Sequence, residues 1–309
     1  VYFAVSGVDC PLWLPPLVAF VVSFFTSMGG VSGAFLLLPF QMSFLGFTSP
    51  AVSPTNLVYN IVSIPSGVWR YLREGRMVWP LTWVVIAGTL PGVVLGAFIR
   101  IAWLPDPKPF KAFVGCVLLY IGARMLWDLV RGWQKGAVSG KPASAPAGAA
   151  PAPPAAFVVE QCSLSWRRLC FDFAGQTYAC STLGIFALSL AVGVVGGTYG
   201  IGGGSIVAPF FVAVYGLPVH AVAGAALMGT FVTSVAGVAF YQAIAPLYAG
   251  QMAVAPDWLL GALFGVGGLA GMYCGARVQR FVRASYLKAM LVAVLIGTAA
   301  KYLVGYFVR

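Results

Sequence analysis

YGIGGGSIVAPF, residues 199–210, places four glycines in five positions and closes on a Pro-Phe pair. Glycine clusters of this density cradle phosphates in nucleotide-binding proteins, so that reading is tested first. A dinucleotide fingerprint needs G-x-G-x-x-G after a strand, with an acidic residue about twenty positions on. Here Ser205 occupies the third glycine's place and no acid appears before Asp257. A P-loop needs Gly-Lys-Ser/Thr, and no lysine stands nearby. Both nucleotide readings fail. What remains is a backbone freed to unwind between two short helices, whose next N-terminus presents N–H groups and a positive dipole end.

The surroundings say where such a break would sit. The 309 residues are 60% hydrophobic and 8% charged, with a mean hydropathy of +0.92. Residues 11–69, 77–99 and 181–276 carry one charged group between them, Asp257. Helical runs of about 20 apolar residues cross a bilayer, so a polytopic helical membrane protein is expected, with the lipid bilayer as its first partner. A membrane β-barrel would alternate apolar and polar residues, and runs such as AFLLLPF do not. The net charge of +11 is gathered near segment ends rather than in one basic stripe, which argues against nucleic acid as a partner. The six cysteines form no CxxC pair and no Cys/His cluster, so no metal and no cofactor are expected; they read as small buried hydrophobes. The chain starts at Val1, from which a missing start is expected. No basic stretch precedes an apolar core, as a cleavable leader requires.

The glycine stretch has a second copy. Shifting the chain by 170 residues lays Gly30, Gly33, Pro39, Phe40, Gly46, Ala51, Val52, Leu57, Gly67 and Tyr71 on Gly200, Gly203, Pro209, Phe210, Gly216, Ala221, Val222, Leu227, Gly237 and Tyr241, without a gap. A shift of 179 lays Gly92, Gly96 and Ala97 on Gly271, Gly275 and Ala276. The chain therefore reads as a duplication of about five apolar segments per half, as in many secondary transporters. The segments fall near 12–28, 33–47, 51–70, 77–100 and 109–128, then 182–199, 203–216, 219–242, 257–277 and 285–307. The second segment of each half is too short for a full span, so each glycine break reads as the tip of a broken or re-entrant helix pair.

Charge orients the halves. Arg70, Arg73 and Arg76 follow the third segment of the first half, whereas 242–256 carries no Lys or Arg. Grouping that loop with the central linker and with Arg277, Arg280, Arg283 and Lys288 puts 13 basic residues on one side and 5 on the other. Arg100, Lys108 and Lys111 are assigned to a loop on the poorer side. The grouping requires opposite orientations, hence an inverted repeat with the richer side cytoplasmic. The domains read as 1–135, a first transmembrane repeat; 136–180, an Ala/Pro-rich cytoplasmic linker with a small β-hairpin turning near Gly175; and 181–309, a second transmembrane repeat. The linker reads as a tether or as a surface for a partner.

All seven acids lie at segment ends or in loops, which argues against a cation carrier. The polar groups inside the segments are neutral. Candidate anion-binding residues are Gly29, Gly30, Gly33, Thr55, Asn56 and Asn60 in the first half, and Gly200, Gly202, Gly203, Gly204, Ser205, Thr230 and Thr233 in the second. Asn56, Asn60 and Ser63 share one helix face by spacing. Each of these residues also admits a plainer reading as helix packing or interhelical hydrogen bonding. His220, the single histidine, is a candidate for proton coupling, or a polar residue starting a helix. No nucleophile–base set or carboxylate pair marks an enzyme.

The duplicated motif, GGVSGAFLLLPF and GIGGGSIVAPF, followed by SPAVSPTNLVYNIVSIPSGVWRYLREGRM, resembles the sulfite exporter (TauE/SafE, or TSUP) family over about 12–130 and 182–305. The resemblance implies an inner-membrane secondary transporter of small sulfur-containing anions such as sulfite or organosulfonates, commonly an exporter. Ala34 and Phe35 stand opposite Gly204 and Ser205, leaving open whether both halves contribute equally to a site. The alternatives carried are a passive anion channel on the same scaffold and a membrane assembly factor without transport. Oligomeric state is not readable from the sequence.

Overall fold

The computed structural model describes residues 1–29, 32–73, 75, 77–139, 159–165, 168–173, 176–217, 219–278 and 284–307. The first half comprises α1 (Leu14–Gly29), α2 (Ala34–Ser43), α3 (Val52–Ser63), α4 (Pro65–Arg73), α5 (Trp79–Ala102) and α6 (Pro107–Ser139). The second comprises α7 (Thr182–Tyr199), α8 (Gly204–Tyr215), α9 (Val219–Ile244), α10 (Trp258–Val278) and α11 (Ala284–Phe307). Six helices (α5, α6, α7, α9, α10 and α11) contain stretches long and apolar enough to cross a membrane. Side chains such as Leu17, Trp83, Phe98 and Val266 are exposed on their outer faces, as lipid contact demands. The protein is an all-α, multi-pass membrane protein.

Two differences from the sequence reading have local causes. The third segment of the first half is not one helix: it breaks at Ile64, ahead of Pro65, whose missing N–H and ring interrupt the ladder. Its counterpart α9 has no proline there and runs unbroken for 26 residues. The linker's hairpin is a three-stranded antiparallel sheet: β3 (Val159–Leu164), β4 (Arg168–Phe173) and β5 (Gln176–Ser181), in that order, with the turn at Gly175 outside the described residues. Leu169, Phe171 and Cys180 alternate onto its buried face, and burial pushes the Cys180 thiol up from its ordinary value. Ser181 then caps α7, accepting the Gly184 N–H at 3.2 Å. A two-stranded ribbon, β1 (Tyr2–Phe3) with β2 (Val8–Asp9), covers the opposite end. There the Ser6 hydroxyl donates to the buried Asp257 carboxylate at 2.9 Å.

Close glycine contacts fix the helix directions. Gly88, Gly92 and Gly96 of α5 meet Phe186, Leu190 and Val194 of α7 in ascending order. Gly267, Gly271 and Gly275 of α10 meet Pro16, Phe20 and Phe24 of α1 in the same way. Pro16, Phe20 and Phe24 lie 170 positions before Phe186, Leu190 and Val194, so one contact stripe is used twice. Between α3–α4 and α9 the contacts descend. Gly67 faces Leu227, and Gly237 faces Leu57, each pair being the other's image under the same shift. Helices that exchange contacts while running antiparallel are related by a two-fold axis in the membrane plane. The halves are inverted.

The same contacts settle the helix pairs. Tyr215, ending α8, brings its hydroxyl to Gly184 at the start of α7, so this pair returns to the end it left. Phe40 of α2 packs edge-on against Phe264 of α10, near the level where α1 starts, so α1 and α2 return likewise. The two hairpins enter from opposite ends. The end of α4, the sheet and the end of α10 lie at one end; the α5–α6 and α9–α10 connections lie at the other.

One residue departs from its assignment. Arg100 is not in a loop: it is inside α5, wholly buried, with its guanidinium carbon 3.7 Å from the Phe110 ring centroid. Stacking on the Phe110 ring and a bond to the Leu104 carbonyl hold it there against the cost of burying its charge.

Candidate functional site

The tip of the second hairpin is built by backbone angles that only glycine adopts freely. Gly200 and Gly202 have φ of +87° and +79°. The N–H groups of Gly200 and Ile201 both donate to the Gly196 carbonyl, at 2.9 and 3.0 Å, closing the end of α7. Space is equally restrictive. A Cβ on Gly200 would lie 2.6 Å from the Ser53 Cα, one on Gly203 2.6 Å from the Thr89 Cβ, and one on Gly204 2.6 Å from the Thr230 nitrogen. The tip is therefore wedged between α3, α5 and α9.

The first tip is similar but plainer. Gly29 ends α1, Gly30 lies outside the described residues, and Gly33 starts α2 against Ser23 and Tyr59, whose hydroxyls are 2.9 Å apart. The first N–H groups of α2 are already used: Ala34 donates to the Ser32 hydroxyl, and Leu36 to the Gly33 carbonyl at 3.1 Å.

Asn56 joins the two tips. Its amide donates to the Gly200 carbonyl at 2.8 Å and to the Ala34 carbonyl at 3.2 Å, while its oxygen accepts from Gln41 at 3.4 Å. Asn60, one turn on, donates to the Ile201 carbonyl at 2.9 Å and to the Ser234 hydroxyl at 3.3 Å. Tyr199 completes the joint, donating to the Phe35 carbonyl at 2.8 Å. From α9, Thr233 accepts the Gly203 N–H at 3.1 Å, and Thr230 sits 3.3 Å from the Ser205 hydroxyl. Ser205 itself donates to the Ile201 carbonyl at 2.9 Å.

Of the residues singled out from the sequence, Gly33, Asn56, Asn60, Gly200, Gly202, Gly203, Gly204, Ser205, Thr230 and Thr233 thus converge on one buried seam. Thr55 does not. Its hydroxyl donates to the Ala51 carbonyl at 2.7 Å and accepts the Asp257 N–H at 2.9 Å, tying α3 to the start of α10. His220 is the second residue of α9, ten positions before Thr230. At 1.5 Å per residue that is about 15 Å along the helix. Its side chain lies outside what the structure describes.

Sequence reasoning missed Gln41, Ser53 and Tyr199, all buried at the joint. Ser53 donates to the Tyr199 carbonyl at 3.5 Å. No spacing rule marks these residues, because Ser53 and Tyr199 find their partners in the other half and Gln41 reaches Asn56 on a separate helix.

The seam's described side chains are uncharged, and the amide oxygens Gln41 Oε1 and Asn60 Oδ1 on it make no hydrogen bond. Such a surface offers hydroxyl and amide groups to a polar solute without committing a fixed charge. The family described as Sulfite exporter TauE/SafE matches residues 16–302. No curated protein and no solved structure matches the chain.

Proposed function

The chain belongs to the sulfite exporter TauE/SafE family, a family of membrane transporters, and from that premise we propose that it is a secondary carrier of small sulfur-containing anions such as sulfite or organosulfonates. The carrier works by alternating access around the seam between the two hairpin tips. The observation that supports this reading best is the double bond of Asn56 to Ala34 and Gly200, which couples two hairpins inserted from opposite ends. Rocking one inverted half against the other would open that seam to each side in turn. Ser205, Thr230 and Thr233 place hydroxyls there that donate to the carbonyl four residues back and would rotate off it to meet an anion, whereas the amides of Asn56 and Asn60 hold the tips in register through their carbonyls.

We place the protein in a bacterial inner membrane with the basic end, including linker 136–180, in the cytoplasm, by the positive-inside rule. The basic loops would concentrate the anion at that mouth. Counterflow in proteoliposomes tests the reading. Unlabelled sulfite on the far side is expected to accelerate uptake of labelled sulfite, and Thr230→Val is expected to reduce that exchange several-fold while leaving thermal stability within a few degrees. Uptake without trans-stimulation would make the protein a channel. No uptake of sulfite or methanesulfonate would refute anion transport.

A further inference from the structure

Arg100 is the single charged side chain of α5, wholly buried in the last turn of the helix. Its Nη1 donates to the Leu104 carbonyl, closing the α5 terminus, and its flat face lies on Phe110. Those contacts use one corner and one face of the guanidinium. Nε and Nη2, the other edge, make no hydrogen bond. Across from α5, Tyr241 of α9 is also wholly buried and packs in one cluster with Ala97 and Ile101, the residues flanking Arg100 on the helix. Arg100 and Ser53 are its polar neighbours, Ser53 as a loose hydrogen-bonding partner, and its hydroxyl closes no short hydrogen bond.

No carboxylate balances this cation. Among the described residues the single ion pair joins the Val1 amino group to Asp9. The Asp257 carboxylate is taken by Ser6 and by the Leu260 N–H at 3.1 Å. A buried guanidinium without counter-charge, carrying two unmatched N–H sites beside an unmatched phenol, is a set of donors lacking an acceptor. The Nε–H and Nη2–H edge matches two oxygens of one oxyanion; a spherical halide cannot use both donors as well. Ser53 connects this place to the seam, since its Cα lies against Gly200 and its hydroxyl bonds to Tyr199.

We infer that Arg100 and Tyr241 form an oxyanion-binding station, which receives the SO3 group of sulfite or a sulfonate on the guanidinium edge with the Tyr241 hydroxyl as a third donor. The identity of the anion rests on the transport reading above; the donor geometry does not. The station lies at the end opposite the basic loops and next to the second hairpin tip, where an anion leaving the seam toward that end would pause.

Thermal stabilisation and equilibrium binding in detergent test this, with sodium sulfite and sodium methanesulfonate against sodium chloride at equal ionic strength, run beside counterflow. Wild type is expected to bind sulfite and methanesulfonate in preference to chloride. Tyr241→Phe, which keeps the ring, and Arg100→Lys, which keeps the charge, are each expected to raise the sulfite Kd by about tenfold, the loss of one hydrogen bond to a charged group. Wild-type affinity in both variants, or in Tyr241→Phe if Arg100→Lys fails to fold, overturns the station while leaving counterflow and the transport reading intact. Anion stabilisation lost in Tyr241→Phe, in a protein whose wild type takes up neither sulfite nor methanesulfonate, upholds the station and sinks transport. Absence of any oxyanion stabilisation in wild type also overturns it.

Discussion

Gly200 and Gly216 occupy the same backbone region, with φ of +87° and +64°, yet they carry different burdens. A side chain in the left-handed region costs about 1–2 kcal/mol by itself. At Gly216 nothing stands within 4 Å of an added Cβ, so Gly216→Ala is expected to cost little more than that. At Gly200 the added carbon would overlap the Ser53 backbone, and the hairpin tip must move off α3. Gly200→Ala is therefore expected to yield little folded protein by size-exclusion chromatography, while Gly216→Ala elutes as wild type. Asn56→Leu belongs with the severe class for another reason. It strips two buried carbonyls, on Ala34 and Gly200, of their common donor, a loss of about 2 kcal/mol or more. A fall of several degrees in the unfolding midpoint is expected; an unchanged midpoint would remove the claim that this amide couples the tips.

Among the elements, α5–α7 and α1–α10 are closely packed helix pairs, and glycine allows the approach. A Cβ on Gly92 would sit 2.6 Å from the Leu190 carbonyl oxygen. Gly92→Ala should therefore be strongly destabilising, whereas Gly297→Ala on α11, with nothing within 4 Å, should raise the unfolding midpoint slightly through helix propensity alone. Much of this arrangement was legible beforehand. Glycine, proline and apolar spacing record where a chain breaks and turns, and the self-match at 170 records that it does so twice. What the sequence hides is which donor meets which acceptor across 140 residues. Asn56 and Asn60 share a helix face by spacing, but their partners are carbonyls of the other half, which no side-chain pattern encodes. Thr55 is one residue from Asn56, and that single step turns its hydroxyl toward α10. Arg100 stands beside a loop in sequence, so its burial becomes visible only once Phe110 and Tyr241 surround it.

For the molecule as a whole, inversion makes a prediction that neither half makes alone. The contacts place β5 and the α9–α10 connection at opposite ends, because α7 and α9 both run parallel to α5 and one precedes its start while the other follows its end. With Arg100 set aside as buried, the sequence grouping leaves 13 basic residues against 4, from which the richer end is expected to face the cytoplasm. Thr177 on β5 and Gln251 in the α9–α10 connection are both exposed. In a background with the native cysteines replaced, Gln251→Cys is expected to react with a membrane-impermeant maleimide added to intact cells. Thr177→Cys is expected to react only after the membrane is opened. The opposite pattern would invert the orientation while preserving the fold, since the two positions would still be separated by the bilayer. Labelling of both from one side would break the fold itself, because an inverted pair of halves, each making an odd number of crossings, cannot bring those two positions to the same face.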